Sequence, residues 1–148
     1  MKIDNLYRKF RPALLVFSMA AIFFSTCAKG PGTGGEASIY GKIYVLNYRS
    51  YSPTQLPPYF YYLDAQYYGA DETVYLVYGE DTTYSRTVKT REDGSFYFDY
   101  LNKGKYKVYA KSRDTTAAGT TKEIVKMIEV EITKRKQEVK LDSIVVLK

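Results

Sequence analysis

Val88-Lys89-Thr90-Arg91-Glu92-Asp93-Gly94-Ser95-Phe96-Tyr97-Phe98 is the stretch that decides the fold. It begins where a Thr- and Tyr-rich segment ends in Val88. After the Asp-Gly step, Phe96 and Phe98 alternate with Tyr97 and Asp99. Alternation of period two marks a strand. Asp-Gly between two such runs marks a hairpin, because Gly takes φ > 0 without a Cβ clash. A second turn and strand follow at once in Leu101-Asn102-Lys103-Gly104-Lys105-Tyr106-Lys107-Val108. Working outward, the same pattern recurs. Residues 38–47 offer Ile39, Ile43 and Val45 on one face, and residues 73–79 offer Val74, Leu76 and Tyr78. Residues 122–132 offer Ile128, Val130 and Ile132, and residues 138–147 offer Val139 and Leu141 before a mostly apolar end. With 83–90, 95–100 and 105–112 this makes seven strands, and no amphipathic helix follows Ser38. Short strands separated by turn signals predict an all-β fold: a single seven-stranded antiparallel Ig-like β-sandwich over residues 38–148.

The two turn-and-strand steps, with Val74-Tyr75-Leu76 before them, resemble the carboxypeptidase regulatory-domain-like family of transthyretin-like sandwiches. The shared signature is a strand, a T-x-x-D-G-x-F-x-F hairpin and an L-x-x-G-x-Y-x-V step. The resemblance covers about a third of the chain. It implies that Gly94 makes the turn, that Phe96 and Phe98 fill the core and that Tyr106 packs beside them. It implies no catalytic residue. Small Bacteroidota lipoproteins are similar in this respect.

The N-terminus reads as an address. Residues 1–12 are polar and basic, and Ala13 to Phe24 are apolar but for one Ser. Twelve helical residues rise roughly 18 Å, too little for a hydrocarbon core of about 30 Å. Residues 1–26 therefore read as a signal peptide with its helix. Phe24-Ser25-Thr26-Cys27 resembles a lipobox, with Phe24 where Leu is usual and Thr26 where Gly or Ala is usual, as in the looser lipoboxes of Bacteroidota. That makes Cys27 the lipidation site, and several acyl chains hold a protein firmly on a membrane. Residues 27–37, with Gly-Pro-Gly-Thr-Gly-Gly, read as a flexible tether after the lipidated Cys. Surface-exported lipoproteins of Bacteroidota often carry acids just after the Cys. Here Lys29 stands there, which points to a bacterial cell envelope protein facing the periplasm.

Composition removes several function classes. The formal charge is +6 over 148 residues, and half of it lies in residues 1–26. A nucleic-acid-binding body is not indicated. With no His, no Trp and one Cys, the chain has no Ser-His-Asp triad, no His-ligated zinc and no internal disulfide. The acid pairs Asp71-Glu72, Glu80-Asp81 and Glu92-Asp93 fall at turns rather than around a cleft, and no EF-hand spacing supports Ca²⁺. We expect no enzyme, no metal and no cofactor.

Two features remain. Residues 48–70 form a Tyr-rich insertion between the first two strands, with Tyr51, Tyr59, Tyr61, Tyr62, Tyr67 and Tyr68 as candidate ligand-binding residues. Insertions of that length are often functional, and a Tyr ring offers an apolar face with a polar tip. The same residues also suit an extra edge strand or a fold-back over the sandwich. The other feature is Lys134-Arg135-Lys136 in the last turn. Alternating strands place this turn at the end where the tether enters, so it is a candidate membrane-facing basic turn, or else a solvated edge turn. The expected function is a lipid-anchored, non-enzymatic module that binds a glycan, a peptide or an envelope protein through its Tyr-rich distal end. The alternative is a structural subunit of an envelope complex with no ligand pocket.

Overall fold

The computed structural model describes residues 29–54, 60–114 and 122–148. The signal peptide, Cys27, Ala28 and Tyr59 lie outside these residues. Nine strands occur among them: β1 (Thr33–Tyr51), β2 (Phe60–Tyr68), β3 (Thr73–Tyr78), β4 (Arg86–Lys89), β5 (Ser95–Leu101), β6 (Gly104–Asp114), β7 (Lys122–Ile132), β8 (Glu138–Lys140) and β9 (Ile144–Leu147). They build two sheets. In the first, β1 lies at the centre, with β2 and β5 on one side and β8 and β9 on the other; the second runs β4-β3-β6-β7. The inward sides meet in one core of Ile39, Ile43, Val45, Phe96, Phe98 and Leu101 against Val74, Leu76, Tyr106, Val108 and Ile132. Phe96 and Phe98 pack edge to face at 6.0 Å, and both are buried.

The expectation of seven antiparallel strands needs three corrections. The insertion contributes a strand of its own, β2, antiparallel to the far half of β1. The last strand pairs parallel to β1, not antiparallel. It is also split in two. Ser38 pairs with Glu138, but Ile43 pairs with Ile144, so one extra residue is accommodated between β8 and β9. This bulge switches which positions face inward, from Val139 and Leu141 to Ile144 and Val146.

β1 also starts earlier than expected. Residues 33–37, read from sequence as tether, belong to it. A Cβ on Gly35 would stand 1.9 Å from the Leu101 carbonyl oxygen, so only glycine allows this approach. Gly32 donates its N–H to the Tyr106 hydroxyl at 3.0 Å, and that hydroxyl donates to Asn102 O at 2.7 Å. Burial pushes the Tyr106 phenol above its ordinary pKa. The chain therefore enters the sandwich beside the β3–β4 turn, where Pro31 approaches Gly79, and the β5–β6 turn, where Pro31 approaches Gly104. The β7–β8 turn joins them: Arg135 and Lys136 reach Glu36 at 3.1 and 3.7 Å.

Candidate functional site

Along β1, Ile39, Gly41, Ile43 and Val45 point into the core, so Tyr40, Lys42, Tyr44, Leu46 and Tyr48 line the outward face of the first sheet. Residues opposite one another in a ladder share a face. Tyr40 pairs with Tyr97 on β5 and with Lys140 on β8, giving one row across the sheet. Lys42 pairs with Ser95 in the next row. Tyr44 pairs with Tyr68 in the third, and Tyr48 with Leu63 and Ser50 with Tyr61 continue it. The Tyr40 and Tyr97 rings lie 6.4 Å apart, tilted by 34°. The Tyr44 and Tyr68 rings meet edge to face at 5.4 Å. At roughly 3.3 Å per residue, the two ring pairs stand about 13 Å apart along β1.

Between them lies a recess of about 510 Å³. Gly41 is part of its lining; a Cβ there would point inward, 2.8 Å from the Phe96 ring and 3.3 Å from Leu141. Lys42 holds its ammonium 4.7 Å from the centre of the Tyr68 ring and 3.1 Å from Asp93. Asp93 also accepts from the Ser95 hydroxyl at 2.6 Å and the Ser95 N–H at 3.1 Å. These two bonds, and then the Lys42 ammonium, hold its carboxyl far below the usual carboxylate range.

Beyond Tyr48, whose N–H donates to Lys148 O, β1 and β2 continue as a two-stranded arm. β2 is exposed along almost its whole length. Asp64 is the extra residue where the register slips between Asn47 and Tyr48, and it pairs with Arg49 at 2.9 Å. The register divides the sequence-predicted tyrosines. Tyr61 and Tyr68 share the outward face with Tyr40, Tyr44 and Tyr97, whereas Tyr51, Tyr62 and Tyr67 lie on the opposite face of the arm. Sequence reasoning missed Tyr40, Tyr44 and Tyr97. Their outward direction was readable from alternation with Ile39, Ile43, Phe96 and Phe98, but their adjacency needed the β1–β5 pairing.

Four of the six turn acids pair with cations, Glu72 with Lys148 and Asp93 with Lys42 among them. Asp71 pairs with Lys89 at 2.7 Å and Glu80 with Lys107 at 3.1 Å. The Lys107 hydrogen bond and charge lower the pKa of Glu80. Of the basic turn, Arg135 and Lys136 both face Glu36.

These features define a β-sandwich module with an aromatic, partly basic platform on one outer face. No protein-family model matches the chain, and no curated protein matches it. Among solved structures the chain is similar to a proposed carbohydrate-binding protein from Pseudomonas aeruginosa, with a TM-score of 0.45 and 16% identity over 79% of this chain and 91% of that one.

Proposed function

We propose that the protein is a non-enzymatic, lipid-anchored module of the bacterial cell envelope that binds glycan on the outward face of its first sheet and the adjoining arm. The observation that carries this reading is the exposure of the tyrosines there. Tyr68 and Tyr97 remain 49% and 46% exposed although they sit in regular strands. Flat rings in a row offer their apolar faces to the C–H faces of pyranose rings, and their hydroxyls to sugar hydroxyls. The test is a saccharide array probed with the full chain and with a Tyr68→Ala/Tyr97→Ala variant. Retention of a saccharide that the variant loses, with an unchanged melting temperature, supports the reading. Equal retention by both proteins sinks it.

Anchoring through Cys27 and a periplasmic orientation belong to the same proposal, as does kinship with the carboxypeptidase regulatory-like sandwiches. Intact-mass analysis of membrane-extracted protein should find acyl chains on a chain beginning at Cys27. An unmodified Cys27 removes the anchor. With the chain entering beside the β7–β8 turn, Lys134, Arg135 and Lys136 would face the lipid. Glu36 pairs with two of these cations and offsets one unit of charge, so Glu36→Gln should raise partition onto anionic vesicles, and reversal of all three cations should lower it.

A second reading, an assembly subunit, is favoured by a different observation. Among the described residues β7 pairs only with β6, and β9 only with β1. Between these two open edges runs an apolar groove of about 300 Å³ lined by Met127, Ile128, Ile144, Val145 and Leu147. Stoichiometric co-purification of one envelope protein, abolished by Met127→Lys and untouched by Tyr68→Ala/Tyr97→Ala, would select it.

A further inference from the structure

The recess between the two ring pairs carries charge of one sign. Beside Tyr40, Tyr68 and Tyr97 it is lined by Lys42, Arg91 and Lys140, and no carboxylate lines it. Glu92, Glu138 and Asp142 are close in sequence to these cations but lie outside the lining. Asp93 is committed to Lys42 and Ser95. Arg91 and Lys140 make no ion pair with the described residues. Lys140 is placed by the sheet and Arg91 by the β4–β5 turn. Lys140 extends the Tyr97–Tyr40 row on the far side of β1. Arg91, whose N–H donates to Ser95 O at 2.9 Å, stands beside the Lys42 row. Two free cations thus flank open ring faces.

We propose that this recess binds an acidic saccharide, one whose sugar rings stack on Tyr40 and Tyr97 while its carboxylates or sulfates meet Arg91 and Lys140. The proposal rests on the glycan reading above and names its ligand class. A guanidinium takes a carboxylate or sulfate in a two-point fork, and an ammonium takes it as a point charge. An acidic peptide fits less well. Extended peptides gain affinity by adding to a free strand edge. Here β1 is paired on both sides at the recess, by β5 and by β8, so a peptide strand could join only the far edges of those two strands and not the Tyr97–Tyr40–Lys140 row between them.

The test is calorimetric titration of the full chain with four probes: oligogalacturonate, a heparin oligosaccharide, a neutral β-glucan oligosaccharide and polyglutamate. The variants are Arg91→Gln/Lys140→Gln and Tyr97→Ala, each checked for an unchanged melting temperature. Binding of oligogalacturonate or of the heparin oligosaccharide is expected, and which of the two binds tells carboxylate from sulfate. The double Gln variant should weaken it about tenfold, and salt near 0.5 M should do the same. Tyr97→Ala should weaken it as well. If the neutral glucan binds as tightly as the acidic probes and the Gln changes have no effect, the charge assignment falls and the glycan platform stands. If polyglutamate binds more tightly than either acidic saccharide, the recess is a peptide site and the proposal falls. If no probe binds, this proposal and the glycan platform fall together.

Discussion

Both outer faces of the sandwich carry tyrosines, but they use them differently. On the second sheet Tyr75 and Tyr109 stack face to face at 4.7 Å and 6°, and Tyr84 closes on Tyr75 edge-on at 5.2 Å. Three cations of that face are engaged too: Lys89 with Asp71, Lys107 with Glu80 and Lys111 with Glu123. On the first sheet the Tyr40 and Tyr97 rings are tilted apart, and Arg91 and Lys140 have no carboxylate partner among the described residues. The second face closes a stacked ring pair although Tyr84 stays exposed, whereas the first leaves the Tyr97 ring, Arg91 and Lys140 available. Tyrosine content alone therefore does not mark a binding surface. What matters is whether neighbouring side chains already cover the rings.

The largest effect expected is one that breaks the first face from behind. Gly41→Ala pushes against the Phe96 ring and Leu141, and should lower unfolding stability by about 1–3 kcal/mol in a denaturant titration. The second-face rings are not neighbours of this position and should keep their mutual contact. Next in size is the stack itself. Tyr75→Ala or Tyr109→Ala should each cost at least about 1 kcal/mol, because a stacked pair contributes beyond its buried area. Tyr97→Ala should stay within about 0.5 kcal/mol, as for an ordinary surface change, and Tyr68→Ala, which loses an edge-on contact with Tyr44, should fall between the two. Equal costs on the two faces would erase the distinction.

Alkaline pH probes the same contrast more gently. Burial, followed by the nearby Tyr75, raises the Tyr109 pKa, and burial raises that of Tyr106 in the core. A raised phenol binds its proton more tightly in the folded state. Its contribution is full below about pH 10 and fades as pH rises through the folded-state value. Tyr109→Phe should flatten part of that alkaline loss in thermal melts. The smallest effect lies at Asp93. Its depressed pKa stabilises the fold above the ordinary Asp value of about 3.9, and that contribution is lost as pH falls below it. Ser95→Ala removes the largest cause, so NMR titration should find the Asp93 carboxyl returning toward the ordinary value.

The sandwich itself was legible where turn chemistry and alternation coincide. The hairpin at Gly94 forms as expected, with φ of +74° and its N–H donating to Arg91 O. Three features were not legible, each for a physical reason. β2 is exposed on both faces, so it shows no alternation to distinguish a strand from a loop. The bulge between β8 and β9 moves the apolar positions from odd to even numbers within ten residues, which hides the parallel pairing with β1. The site depends on contacts distant in sequence. Tyr40, Tyr97 and Lys140 look like ordinary outward strand residues until the ladders place them in one row. Composition drew attention to the Tyr-rich insertion, but only the register separates Tyr61 and Tyr68 from Tyr51, Tyr62 and Tyr67.

The most direct test follows tyrosine ring resonances by NMR while an oligogalacturonate and a neutral β-glucan oligosaccharide are titrated in turn into the full chain. The account predicts that at least one of them shifts the rings of Tyr40, Tyr44, Tyr68 and Tyr97 and leaves Tyr75, Tyr84 and Tyr109 in place. Shifts confined to the stacked rings of the second sheet, or no ring shift with either saccharide, would contradict it.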